Sequence, residues 1–270
     1  LNLKYNLNDK NSFRLGASKT YTLPQAKEIS PYRYVGVNFN SQGNPNLKPS
    51  DHYNLDLKWD FNPTPTELIS LTAFYKLIKN PISRIEVASA GGYLSYENIA
   101  DKATVAGVEI EIRKNLFVRP VSNAAHGMNK LSLGLNGSYI YTNAKMPLAT
   151  VTTGSQLEGA APWIVNFDLS HNFTKGERSF VNTLVLNYVS DKIYTIGTQG
   201  YQDVMEQGVL ILDFVSQAKL NKHLSLNLKA RNLLNPSYKL SRKANENGEK
   251  VILNDYKKGI NISLGVSCTF

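Results

Sequence analysis

The sequence predicts an all-β protein, a transmembrane antiparallel β-barrel with about eleven strands present. Three observations predict it. Apolar and polar residues alternate with a period of two over segment after segment of the 270 residues, which gives each strand one apolar face and one polar face. Most of these segments run to about ten residues or more, the length a tilted strand needs to cross a bilayer. The connections between them alternate short and long, as periplasmic turns and extracellular loops do. Mean hydropathy is −0.28 and no apolar run has helix-spanning length. That excludes helical spans but not a barrel, whose alternation averages away on such a scale.

Residues 1–7 and 12–18 flank the polar turn Asn8-Asp9-Lys10-Asn11 and form a hairpin. In its second strand Phe13, Leu15 and Ala17 oppose Arg14, Gly16 and Ser18. Residues 19–49, rich in Pro, Asn, Tyr and Gly, form a long loop, and loops of that length are usually functional or disordered. The cleanest alternation follows at 50–61, with Tyr53, Leu55, Leu57, Trp59 and Phe61 against Asn54, Asp56, Lys58 and Asp60. A Pro-rich turn at 62–66 leads to a return strand at 67–77.

A second long connection, 78–101, carries its own alternating segment at 82–88, expected as a strand extension beyond the membrane. Strands follow at 102–114 and 131–142, separated by a connection of medium length at 115–130. After a Thr/Gly/Ala-rich loop at 143–161 come strands at 163–173 and 180–189, where Val185 and Val189 blur the face assignment. A loop at 190–207 precedes a hairpin of 209–220 and 224–234. The last long loop is 235–256, and the last strand, 260–270, ends on the aromatic Phe270. With that strand descending to the periplasm, every short turn lies on the periplasmic side and every long loop outside.

Bacterial single-chain barrels have even strand numbers, and an open sheet would leave unpaired edges in lipid. The sequence therefore reads as half of a larger barrel, and residues 1–270, which open directly on an alternating strand, as the C-terminal part of a longer protein.

Composition narrows the chemistry. The chain has 30 Lys and Arg against 21 Asp and Glu, a net charge of +9, dispersed rather than clustered. Dispersal argues against a nucleic-acid partner and weakly favours phosphate-rich lipid or anionic ligands. The single cysteine, Cys268, leaves no internal disulfide, and no Cys/His spacing suits a metal.

Four segments in order carry a resemblance. Asn44-Pro45-Asn46-Leu47-Lys48-Pro49 before a long strand resembles the N-P-x-L-K-P-E segment of TonB-dependent outer-membrane receptors, with Ser50 in place of the acidic residue. The stretch from Ala103 through Gly107-Val108-Glu109 to Glu111 is similar to that family's A-x-x-x-G-V-E-x-E strand. Asn232-Leu233-Leu234-Asn235-Pro236-Ser237-Tyr238 resembles its N-L-F-D-x-x-Y signature, and Phe270 resembles the terminal aromatic that such barrels present to the assembly machinery. The resemblance implies a 22-stranded barrel enclosing a plug, with this chain as its C-terminal half and the plug and N-terminal strands outside it. It implies an outer-membrane location, a TonB complex engaged through an N-terminal region, and active import of an extracellular ligand: siderophore, haem, cobalamin, glycan or peptide. The Asn- and Tyr-rich loops are similar to those of receptors from Bacteroidota.

No enzymatic role is expected. Glu109 and Glu111 share a face, but the bland reading, a lumen wall with Arg113, Lys58 or Arg14 as partners, outweighs a catalytic pair that lacks a pKa-raising pocket. His52, His126, His171 and His223 are far apart, each at a strand end or in a connection, and are expected to be interfacial or solvated; no cofactor is implied. Lumen-facing Asp56, Lys58, Glu109, Arg113, Asp168, Lys229 and Arg231 are positioned to touch a plug. The ligand-facing candidates are loop residues: Tyr32, Arg33, Tyr34, Tyr93, Tyr96, Tyr194 and Tyr201. They could hold a ligand by stacking or cation–π contact, or simply pack the loops together. A passive porin, a non-transporting surface adhesin and a soluble β-domain are the alternatives.

Overall fold

A computed structural model of the chain describes residues 1–37, 39–87, 92–121, 127–146, 156–244 and 248–269. Strands β1 (Asn2–Asn6) and β2 (Asn11–Thr22) form the first hairpin. Its turn is closed by the Asn8 side chain, whose oxygen accepts from the backbone N–H of Lys10 at 3.0 Å and of Asn11 at 2.8 Å. The following connection holds a short helix, α1 (Ala26–Ile29), and the short strands β3 (Arg33–Tyr34) and β4 (Ser41–Gln42). β5 (Ser50–Phe61) and β6 (Leu68–Lys79) make the second hairpin. At its turn the Glu67 carboxylate accepts from the Asn115 N–H at 3.1 Å and the Thr64 hydroxyl at 3.2 Å and pairs with Lys114 at 3.4 Å. These partners hold its pKa below the ordinary carboxylate value, the Asn115 N–H most of all.

The second long connection contains β7 (Ile82–Val87) and β8 (Tyr93–Asn98). β9 (Lys102–Pro120) and β10 (Met128–Ala144) are the longest strands. β11 (Trp163–Lys175) and β12 (Arg178–Val189) turn at Gly176, whose φ of +60° suits glycine. β13 (Lys192–Thr195) and β14 (Val204–Glu206) lie in the next connection. β15 (Val209–Lys219) and β16 (Leu224–Arg231) form a hairpin. β17 (Ser237–Lys243) and β18 (Lys250–Lys257) fill the last long connection, and β19 (Asn261–Cys268) follows.

Eleven of these strands make one sheet in the order β1-β2-β5-β6-β9-β10-β11-β12-β15-β16-β19, with antiparallel neighbours throughout. The register sorts side chains by kind. Leu15, Leu57 and Ala73 lie side by side, and Leu228 lies beside Leu264. This apolar face is open: Leu57 is 52% exposed and Leu264 71%. The opposite face is polar and more crowded, with Asp60, Ser70 and Ser138 buried. Asn187 donates to Asn166 at 2.6 Å there, and Asn166 to Asn136 at 3.4 Å. An apolar outer face over a polar inner one is the arrangement of a wall that stands in lipid.

Two expectations are corrected. Much of the medium connection at 115–130 is strand: β9 runs on to Pro120 and β10 starts at Met128. A bulge disguised it. Leu131 pairs with Phe117 but Ser132 with Asn115, so Leu116 is skipped and the alternation reverses phase. The connection shortens to 121–127, at whose ends the Val121 N–H donates to the Gly127 carbonyl at 3.1 Å, and short and long connections then alternate along the wall. The alternating segment at 82–88 does not extend the wall. Asn80, at φ +50°, and Pro81 break the chain after β6, and β7 joins a separate sheet with β3, β4 and β8. Ala88 lies outside the described residues.

Candidate functional site

The long connections fold. Two four-stranded sheets, β3-β4-β8-β7 and β13-β14-β17-β18, sit at the end of the wall from which the long connections leave. Residues 82–87 link them. Ser83 and Ile85 are buried at 3% and 5% exposure, which aims Arg84 and Glu86 the other way. Ile85 makes a parallel bridge to Ile196: the Glu86 N–H donates to the Ile196 carbonyl and the Ile196 N–H to the Arg84 carbonyl, both at 3.0 Å. Ile85, Ile99, Ala103, Ala144, Leu157, Ile193 and Ile196 then form a buried apolar cluster drawn from several connections and the adjoining strand ends.

Charges bind the same loops together. Glu158 pairs with the Arg84 guanidinium at 3.2 Å and accepts from the Arg84 N–H at 2.5 Å. Burial nevertheless pushes its pKa up, with the Arg84 contacts opposing the shift. Glu86 pairs with Arg242 of β17, and its carbonyl accepts from the Thr198 hydroxyl. One tripeptide, Arg84-Ile85-Glu86, therefore ties together four of the long connections.

Rings and cations line the clefts of this loop body. The Arg84 guanidinium lies 4.4 Å from the Tyr194 ring centroid, and Phe39 lies 6.1 Å from the same ring. Arg84, Tyr194, Phe39, Tyr96 and Lys27 line a cleft of about 340 Å³. Burial raises the Tyr96 phenol, which stays neutral at physiological pH. Tyr194 and Val37 also border a larger cleft of about 480 Å³, whose far wall carries Tyr238, Lys239 and Tyr256. Tyr238 and Tyr256 stack with centroids 5.4 Å apart, and the Lys258 ammonium sits 3.8 Å from the Tyr238 ring. Tyr93 borders a third cleft of about 350 Å³ with Phe39 and Glu86. Aromatic faces beside cations suit a planar or anionic ligand.

The candidates read from sequence divide accordingly. Tyr96 and Tyr194 meet in one cleft. Arg33 and Tyr93 pair, 5.1 Å from guanidinium to ring. Tyr34 packs with Lys27 at 5.4 Å, and Tyr201 with Arg242 at 5.3 Å; neither lines these three clefts. Tyr32 is 75% exposed and lines none of them. Sequence reasoning missed Arg84, Phe39, Tyr238, Lys239 and Tyr256. Arg84 had a signal, its place in the alternating stretch 82–88; Tyr238 and Tyr256 become neighbours only through the register of β17 and β18, and Phe39 reaches Tyr194 from an irregular stretch between β3 and β4. Phe270 lies outside the described residues, as does His126.

Several of the remaining groups have structural partners. Glu111 pairs with Arg113 at 2.7 Å, as expected of a lumen wall, whereas Lys58 and Arg14 pair instead with Asp60, at 3.3 and 3.6 Å. His52 bonds Thr22 at 2.9 Å, His171 bonds Asn129 at 2.8 Å and His223 bonds the Thr269 carbonyl at 2.7 Å. Among the described residues no group of three or more His, Cys, Asp or Glu side chains is gathered as a metal would need.

An antiparallel wall with one apolar and one polar face, its long connections folded at one end, is the architecture of an outer-membrane β-barrel wall. Residues 1–233 match the family model described as TonB dependent receptor-like, beta-barrel, and the chain belongs to that family. It resides in the outer membrane. An iron-regulated outer membrane virulence protein of Vibrio cholerae is 25% identical over 219 residues, 77% of this chain and 31% of the relative. Among solved structures, the ferric enterobactin receptor of Pseudomonas aeruginosa (a Q482A mutant) superposes with a TM-score of 0.61 at 17% identity, over 100% of this chain and 40% of that one. The ferric yersiniabactin uptake receptor of Yersinia pestis gives 0.61 at 15% identity, over 99% and 36%. The copper transporter OprC gives 0.64 at 15%, over 99% and 38%. The chain thus spans about a third of the length of the curated relatives it matches.

Proposed function

We propose that the protein imports an iron chelate across the outer membrane with energy relayed by TonB, and that this chain supplies the ligand-facing loops and half of the barrel wall. The single observation that carries the reading is the folded loop body: clefts lined by Tyr96, Tyr194, Arg84 and Lys27, set at the mouth of a wall of this family. The iron-regulated relative and the ferric-chelate receptors of the same fold support iron over haem, cobalamin, glycan or peptide. The cluster of rings and cations matches the chemistry of a ferric chelate with aromatic, anionic arms.

In this reading the chain is the C-terminal half of a 22-stranded barrel, and β1 and β19 pair with strands from the other half. A plug carried elsewhere in the protein lies against the polar inner face and engages the TonB complex from its own N-terminal side. Phe270 presents the last strand to the barrel-assembly machinery. Arg33, Tyr93, Tyr96 and Tyr194 face the ligand, and Tyr32, Tyr34 and Tyr201 flank it. The residues hold and orient cargo; none makes or breaks a covalent bond.

The test is uptake. Cells lacking the gene are expected to lose growth on one ferric chelate as sole iron source, and cells lacking TonB to lose it equally. Uptake independent of TonB would point to a passive porin, and unchanged growth on every chelate to a surface adhesin.

A further inference from the structure

The strands of the loop body follow the order of the wall. β3 and β4 rise from the connection after β2, β7 and β8 from that after β6, β13 and β14 from that after β12, and β17 and β18 from that after β16. Joined at Ile85 and Ile196, the two loop sheets run from β3 at one end to β18 at the other. β18 pairs with β17 alone, so its second edge is a row of backbone groups with no partner strand among the described residues.

Exposure sets this strand apart. Among the described residues of the two loop sheets, only β18 leaves aliphatic side chains exposed: Val251, Ile252 and Leu253, at 50%, 47% and 38%. Elsewhere in those sheets Leu94, Val204 and Leu240 are at 4%, 0% and 8%. Val251 pairs with Arg242 and Ile252 with Ser241, so the two point to opposite faces, as in a strand covered on both sides. The place of β18 is fixed. Only residues 258–260 separate it from β19, and there the Gly259 carbonyl accepts from the Asn232 side chain at 2.7 Å while the Gly259 N–H donates to the Asn235 side chain at 3.0 Å. β19 pairs with β16 alone, so the free edge of the loop sheet and the free edge of the wall belong to consecutive strands at one seam.

We propose that β18 takes a further strand from this protein's own chain outside residues 1–270: the outer connection that follows the barrel strand paired with β19. The inference rests on the reading of residues 1–270 as half of a barrel. An unpaired edge in lipid is too costly to leave open, so β19 needs a partner strand. β19 leads away from the long connections, so an antiparallel partner runs toward them and delivers its own outer connection to β18. Backbone pairing satisfies the edge, and apolar side chains of the added segment cover Val251, Ile252 and Leu253. Asn254 and Tyr256 of β18 also line the cleft of about 480 Å³. The added segment therefore brings the other half of the protein to the border of that cleft.

The experiment uses the full-length protein in cells, with photoreactive p-benzoylphenylalanine in place of Ile252 or, separately, of Ile262 on β19. Heat-modifiable gel mobility confirms folding, and Val251 is the second site should the Ile252 variant not fold. After irradiation and proteolysis, mass spectrometry identifies the crosslinked peptide. From Ile252 it is expected to come from the same polypeptide outside residues 1–270, from the segment that follows the one captured from Ile262. Amide exchange on the lipid-embedded wild type is the second readout. Both alternating sets of β18 amides are expected to exchange at least ~100-fold more slowly than in an unstructured peptide, against one set only for an open edge. A crosslink from Ile252 to a second copy or to a different protein would overturn the proposal. So would protection of one set only, or no crosslink from Ile252 while Ile262 captures its neighbour. Failure of Ile262 to capture the same polypeptide would instead overturn the half-barrel reading, and the proposal with it.

Discussion

The wall and the loop body are built from the same antiparallel hairpins and the same apolar residue types, yet they bury opposite surfaces. In the wall, Ile262 and Leu264 stand 68% and 71% exposed. In the loop body, Ile196 and Val204 are at 1% and 0%. Lipid is the wall's apolar medium, so its apolar side chains need no protein partner. The loops stand in water and must assemble a core of their own. A period of two marks a strand in both regions but says nothing about which solvent waits on the apolar side.

That contrast can be broken at named positions. Ile196→Ala is expected to destabilise the loop body by about 2–5 kcal/mol, because the cavity lies in a closed cluster. Limited proteolysis should then cut the outer loops of the variant while the barrel keeps its heat-modifiable mobility. Leu57→Arg reverses the pattern: about 2–4 kcal/mol is lost on insertion into lipid vesicles if Leu57 lies near the bilayer midplane, with loop proteolysis unchanged.

Arg242→Met sharpens the contrast within the loops, since it strands the Glu86 carboxylate, whose side chain is 13% exposed. A loss of about 2–3 kcal/mol in loop-body stability is expected, short of the cost at a fully buried site. Glu86→Gln combined with Arg242→Met should recover part of it, as a double-mutant cycle would measure. The smallest effect lies at the short-turn end. The Glu67 pKa is depressed, so its stabilisation is present above the ordinary carboxylate pKa and is lost as pH falls through its lower folded value. Glu67→Gln should therefore destabilise at neutral pH and converge with wild type in acid, measured by urea unfolding across pH.

The wall was legible because its signal is local. The stretch 50–61 shows its faces residue by residue, and β5 spans those residues. What failed was continuity: the skipped Leu116 reversed the parity, and a strand end was read as a loop. The loop body was not legible for a different reason. Its sheets join residues far apart in sequence, Ile85 with Ile196 and Glu86 with Arg242, and such pairings leave no periodic trace. Tyr194 could be named from its type and place, but its partners Arg84 and Phe39 could not.

The central claim is that the outer loops form one folded body and not a set of separate arms. Amide hydrogen exchange on the full-length protein in its lipid-embedded form measures this directly. The amides of Glu86 and Ile196, which close the bridge between the two loop sheets, should exchange over minutes to hours, alongside those of β5 and β6. Exchange of both amides as fast as an unstructured peptide, with the wall strands still protected, would contradict it.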